Sequence, residues 1–208
     1  METKELREAD GARLPRARTG GRSARVVRDV YAAAIEVFAE RGYGAFSMDE
    51  VATRAGVNKT TIYRRWPTKG ALVSAALLDL RAADEVTPDT GELAKDLEVL
   101  LVHKAEVMST PRGRGIRRAI LTGRDEPELQ ALVRTLRREH PLVPRAVLAR
   151  AVERGELPPE TDLELLTDTL AGALSSCAMW SDTLEPEFVR KLIALVLHGA
   201  LRRPRSGR

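Results

Sequence analysis

Cysteine is almost missing from this chain of 208 residues: Cys177 stands alone, so no internal disulfide is available and the fold must close by packing. Histidine is nearly as scarce, and His103, His140 and His198 show no metal-ligand spacing. Neither a glycine-rich phosphate loop nor a nucleophile elbow occurs, so no metal, no cofactor and no enzymatic activity is expected. Long apolar runs are lacking as well; nothing approaches the roughly 18 residues of a membrane span. The N-terminal METKELREADGARLPRARTGGRSAR has no apolar core of a secretory signal, and a cytoplasmic location is expected. Strand-like alternation and hairpin signals are absent, which leaves an all-α fold. Aromatic residues make up only 4% of the chain, and after Trp66 only Trp180 and Phe188 remain.

Apolar residues are plentiful at 43%, enough for a core in a chain of this length. Charge is divided unevenly along the sequence. Residues 11 to 81 carry 13 Lys and Arg against 6 Asp and Glu, whereas residues 82 to 201 carry 15 against 20. A positive front points to a polyanionic partner, and an acidic rear to a separate task.

The front reads as short helices closed by local chemistry. Val27, Val30, Ala34, Val37 and Phe38 recur at helical steps, predicting a first helix over about 24 to 41 that stops at Gly42. Ser47 and Glu50 form a capping box for a second helix that starts at Met48 and ends at Ala55-Gly56. Asn58 caps a third, Lys59 to Arg65, halted at Trp66-Pro67; Thr68 caps a fourth, Lys69 to about Ala83. Ala52, Gly56 and Ile62 supply a small crossing residue, a turn glycine and an apolar anchor, as a helix-turn-helix requires. With Ile62 and Trp66 inward, the polar residues from Asn58 to Arg64 face outward.

Further on, Leu93, Leu97, Leu100, Leu101 and Met108 share a helical face, and Pro111, Gly113 and Gly115 are expected to interrupt before Ile116 to Leu121. Pro127 opens a segment to Glu139 that resumes past Pro141 and Pro144 as far as Arg154. After the loop GELPPET, Thr161 and Glu164 form a capping box for a helix to about Ser181, and Pro186 opens the last one, through Leu201.

The span from about Ser23 to Leu80, centred on AAAIEVFAERGYGAFSMDEVATRAGVNKTTIYRRWPTKGALV, resembles the DNA-binding domain of TetR-family transcriptional regulators. The resemblance implies a disordered basic arm at 1–22, a helix-turn-helix domain at 23–68, an effector-binding and dimerisation bundle at 69–201 and a basic tail at 202–208. It also implies that Ser47, Asn58, Lys59, Thr60, Thr61, Tyr63, Arg64 and Arg65 meet double-stranded DNA, with Tyr63 on a phosphate and Lys69 gripping the backbone at a helix N-terminus. By the same resemblance, Arg64 is expected to read guanine with a bidentate contact. The chain departs from the family at Thr60, where glycine is common, and at Arg65 and Trp66, where histidine and phenylalanine are frequent, so base preference does not carry over. Arg13, Arg16, Arg18 and Arg22 in the arm reach a minor groove or belong to a merely soluble tail.

Recognition by one short helix calls for a homodimer on a palindromic operator. The last two helices supply the expected interface, with Gly172, Ser175, Ser176 and Met179 on one and Val189, Leu192, Ile193 and Val196 on the other. An internal core is the alternative use of the same stripe. The middle helices are expected to enclose a mainly aliphatic small-molecule effector pocket, with His103, Met108, Cys177 and Trp180 as candidate lining residues. The implied function is a ligand-responsive repressor; a ligand-independent accessory DNA-binding protein or an activator is the alternative.

Overall fold

The structure, a computed structural model, describes residues 20–181 and 183–199. Arg13, Arg16, Arg18, the side chain of Arg22 and the tail at 202–208 lie outside the described residues. All regular structure among the described residues is helical. The order is α1 (Gly20–Arg41), α2 (Met48–Arg54), α3 (Lys59–Arg65), α4 (Lys69–Ala83), α5 (Leu93–Ser109), α6 (Pro111–Thr122), α7 (Pro127–Glu139), α8 (Arg145–Glu153), α9 (Leu163–Trp180) and α10 (Pro186–His198).

Side-chain caps set the ends of the front helices. Ser47 Oγ accepts from the Glu50 amide at 3.3 Å, Asn58 Oδ1 from the Thr60 amide at 3.0 Å and Thr68 Oγ1 from the Ala71 amide at 3.1 Å. Between α2 and α3, Gly56 takes φ +64°, a conformation that a residue with a Cβ rarely adopts.

Several boundaries differ from the sequence reading. Helix α1 begins at Gly20 rather than near 24, and α10 ends at His198 instead of Leu201. The expected break at Pro111, Gly113 and Gly115 is instead the body of α6. Thr110 caps that helix by accepting from the Gly113 amide at 3.0 Å, and Pro111 takes the first turn, where no amide is needed. Its glycines serve close packing: a Cβ on Gly115 would lie 2.8 Å from Ala39 Cβ and 2.9 Å from Ala39 O on α1. The cap of α9 is Asp162, whose carboxylate accepts from the Leu165 amide at 2.9 Å, in place of Thr161. A carboxylate at a helix N-terminus also gains from the macrodipole, which favours aspartate over its neighbour.

Two apolar cores form, and they do not follow the chain in order. The first joins α1 to α4 with Ala119 of α6 and Leu129, Leu132 and Leu136 of α7. The second joins α5, α8, α9 and α10 through Leu97, Leu100, Leu148, Leu170, Leu174 and Val189. A polar knot ties the second core together. Glu92 offers α5 no side-chain cap; Glu156, from the loop after α8, accepts from the Leu93 amide at 2.6 Å instead. Arg154 Nε donates to Glu156 at 2.5 Å, and its Nη2 reaches the fully buried Asp96 at 3.4 Å.

The α1–α6 crossing makes a test with an unusual sign. Alanine normally stabilises a helix by about 1 kcal/mol over glycine, but overpacking costs roughly 1–3 kcal/mol. Gly115→Ala should therefore lower the denaturation midpoint in urea with an unchanged slope; a raised midpoint would mean that the crossing is looser than described.

Candidate nucleic-acid interface and internal cavity

Helix α3 has a buried side and an exposed side, and a few residues decide which is which. Ile62 is 0% exposed and Trp66 8%, both within the first core beside Val51 and Ala52 of α2. The Trp66 ring packs on Tyr31 of α1 with centroids 5.5 Å apart and planes tilted by 58°. This anchoring leaves Lys59, Thr60, Tyr63, Arg64 and Arg65 exposed and Thr61 half-buried.

The exposed residues differ in how free they are. Lys59 pairs with Asp49 of α2 at 2.5 Å. The Thr60 hydroxyl donates to the Asn58 cap at 2.9 Å, and Arg65 donates to Ser23 of α1 at 2.7 Å. Among the described residues, Arg64 makes no side-chain hydrogen bond or ion pair, and Tyr63, 49% exposed, makes none through its hydroxyl. These two are thus the least committed groups on the face. Ser47 and Asn58 use their oxygens as caps.

Two supporting clusters join Glu50 and Lys69, both named in the sequence, to partners that were not. Arg54 donates to both carboxylate oxygens of Glu40 on α1, at 3.0 and 2.7 Å, and to Glu50, clamping α2 against α1. Its hydrogen bond holds the Glu40 carboxyl below the usual carboxylate range. The Glu50–Arg54 spacing of four was legible as a helical pair; the partner fourteen residues back was not. At the N-terminus of α4, Lys69 donates to Tyr43 O at 3.2 Å, with its ammonium 4.3 Å from the centre of the Tyr43 ring. The Tyr43 hydroxyl donates to Glu128 of α7, whose side chain crosses Gly70 so closely that a Cβ there would lie 1.9 Å from its Oε1. Burial first, and the Glu128 carboxylate second, push the Tyr43 phenol up well beyond its ordinary range.

Behind this face lies a cavity of about 480 Å³ between α4, α5, α6, α7 and α9. Leu77, Leu80, Met108, Ile116, Ile120 and Leu136 form its apolar walls, and among the described residues no Phe, Trp or Tyr contributes. Of the expected lining residues, Met108 is there. His103 turns to Asp84 at 2.8 Å and stays outside the lining, and Cys177 is half-buried against the second core. Trp180 is 86% exposed. Helix α9 presents Thr167, Asp168, Ala171, Gly172 and Ser175 to the cavity, so Cys177, two positions past Ser175, and Trp180, five past it, point well away round the helix.

The expected dimer residues also separate. Val189, Leu192 and Ile193 are 0%, 8% and 5% exposed inside the single chain, so this stripe of α10 packs into the second core, the alternative use of the same stripe. The inner face of α10 packs on α5 and α9, and Val196 is half-buried on the same side. Gly172 and Ser175 border the cavity although exposed, and Ser176 and Met179 face outward. Leu165, Gly172, Ser176 and Met179 thus make an exposed row at helical spacing along α9, with Leu195 exposed on α10.

No described helix is long and apolar enough to cross a membrane, and no described His, Cys, Asp and Glu side chains group as metal ligands do. Residues 30–76 match the family model "Bacterial regulatory proteins, tetR family", and residues 87–196 match "Tetracyclin repressor-like, C-terminal domain". The chain is 37% identical over 172 residues to the DNA-binding transcriptional repressor TetR of Mycobacteroides abscessus, covering 80% of this chain and 88% of that one. It is 32% identical over 151 residues to the HTH-type transcriptional regulator AqdR of Rhodococcus erythropolis, covering 73% of each. The crystal structure of the TetR family transcription regulator SCO0332 superposes with a TM-score of 0.70 at 29% identity, over 85% of this chain and 99% of that chain.

The Tyr43–Glu128 contact predicts an alkaline titration. A phenol whose folded value is raised adds stability that is fully present below its unfolded value, near pH 10.0, and is lost as pH climbs through the folded one. Tyr43→Phe should remove a late component from the phenolate absorbance titration, and Glu128→Gln should bring that component to lower pH. Identical profiles for wild type and both variants would exclude the buried hydrogen bond.

Proposed function

Because the chain belongs to the TetR family of bacterial transcriptional regulators, we propose that it is a ligand-responsive repressor acting as a homodimer on a palindromic operator. The observation that carries this reading is the division of α3, with Ile62 and Trp66 locked in the core while Tyr63 and Arg64 stand exposed and uncommitted. In a major groove, Arg64 is placed for a bidentate contact to guanine and Tyr63 for a phosphate. Thr60, Thr61, Lys59 and Arg65 lie along the groove walls, Ser47 and Asn58 border it, and Lys69 adds backbone grip beside the N-terminus of α4. Lys59 exchanges Asp49 for a phosphate when DNA arrives, which makes Asp49 a tether on the unbound state.

Two copies meet through the exposed row of α9, from Leu165 through Gly172 and Ser176 to Met179, with Leu195 of α10 beside it. Small residues in such a row permit close helix approach, and exposed leucines and methionine supply apolar area. The aliphatic walls of the cavity suit a small, mostly apolar effector rather than a planar cation, which would require aromatic faces. Occupancy of the cavity releases the operator. The front of the chain, to about residue 68, reads DNA; the remainder senses and dimerises.

Arg64→Ala and Tyr63→Ala should each weaken operator binding in gel shifts about tenfold or more, with helix content and dimer mass unchanged. Arg64→Ala should also relax selectivity at one base pair by roughly 1–3 kcal/mol. Affinity should fall steeply with added salt as released counterions are counted against phosphate contacts. Wild-type affinity in both variants would remove α3 from the interface.

A further inference from the structure

The cations around the cavity are unevenly satisfied. Lys104 donates to Asp84 Oδ2 at 3.0 Å and to Asp84 O at 2.6 Å, and Arg137 pairs with Asp168 at 2.6 Å. Arg117 donates to Met108 O at 3.2 Å. Arg81, in the last turn of α4, borders the same cavity, but its side chain makes no hydrogen bond or ion pair among the described residues. The acid that acts on its charge, Asp84, is already engaged at both carboxylate oxygens, by His103 on Oδ1 and by Lys104 on Oδ2.

Arg81 is half-buried, and burial works against its charge, with Asp84 only partly offsetting this. A guanidinium does not escape by losing its proton, so a desolvated one without a partner is a costly feature unless an anion arrives. The cavity beyond it is walled by Leu77, Leu80, Ile116, Ile120 and Leu136. A fork of donors at one side of an aliphatic space matches a carboxylate on a hydrocarbon chain.

We propose that the cavity binds an aliphatic monocarboxylate, with the guanidinium of Arg81 receiving the carboxylate and the leucine and isoleucine walls receiving the chain. The proposal rests on the reading of this cavity as the effector site and specifies the ligand class. One negative charge is the match, because Lys104 and Arg137 already have carboxylate partners and a polyphosphate head would have to break both pairs.

The test is isothermal titration of the full chain with straight-chain carboxylic acids of graded length and with the matching primary amides, all below their micelle concentrations. At the best length the acid should bind roughly tenfold to a hundredfold tighter than the amide. Arg81→Gln, checked for folding by circular dichroism, should erase that preference while leaving amide binding in place, and Arg81→Lys should keep part of it. Equal binding of acid and amide by the wild type overturns the anion seat and leaves the effector cavity standing. Binding of neither series overturns both. A full acid preference in Arg81→Gln places the anion elsewhere and also overturns the proposal. If Arg81→Gln does not fold, the wild-type comparison and Arg81→Lys decide: a lysine variant with a reduced acid preference beside a wild type that has the full one upholds the seat, and an undiminished preference in the lysine variant overturns it.

Discussion

A seven-residue helix cannot hold itself together in water, since isolated helices below about 12–15 residues are marginal even with favourable sequences. Helix α3 is that short, and everything it presents depends on two side chains lodged in a core made by other helices. Ile62 fixes its position against α2, and Trp66, tilted on Tyr31, fixes it against α1. Asn58 then settles the first turn, so that Tyr63 and Arg64 are held at a set angle. The Arg54 clamp adds a polar counterpart by holding α1 and α2 to each other from outside.

The front of the molecule was legible because its signals are local. Ser47, Asn58 and Thr68 cap within three residues of themselves, and Gly56 needs only its own backbone to make the turn. The rear was less so, because its determinants lie far apart in sequence. Gly113 and Gly115 look like breakers until the neighbouring backbone of Val107 and Ala39 is in view. The stripe Val189, Leu192, Ile193 has the same apolar pattern whether it meets its own chain or another, and pattern alone does not separate these. Glu156 caps a helix that begins 63 residues earlier, which no window along the sequence captures.

The candidate site shows the same division. Outward exposure of Tyr63 and Arg64 followed from the buried positions beside them. The commitments of Lys59 to Asp49 and Arg65 to Ser23 required coordinates, as did the position of His103 on Asp84. Trp180 and Cys177 were drawn towards the cavity by their chemistry, whereas the phase of α9 takes them elsewhere. Helix α4, about 22 Å long for its fifteen residues, carries Lys69 at one end and Arg81 at the other, so it belongs to both regions at once.

The interleaving of the two cores bears on where this chain can be cut. Leu129, Leu132 and Leu136 of α7 and Ala119 of α6 complete the apolar bed on which α1 and α4 rest, although they lie well beyond the helix-turn-helix in sequence. A fragment ending at Ala83 would leave that bed open to solvent, with Tyr43 deprived of Glu128. The DNA reader is therefore not a portable module: to graft it onto another protein, α6 and α7 must travel with it.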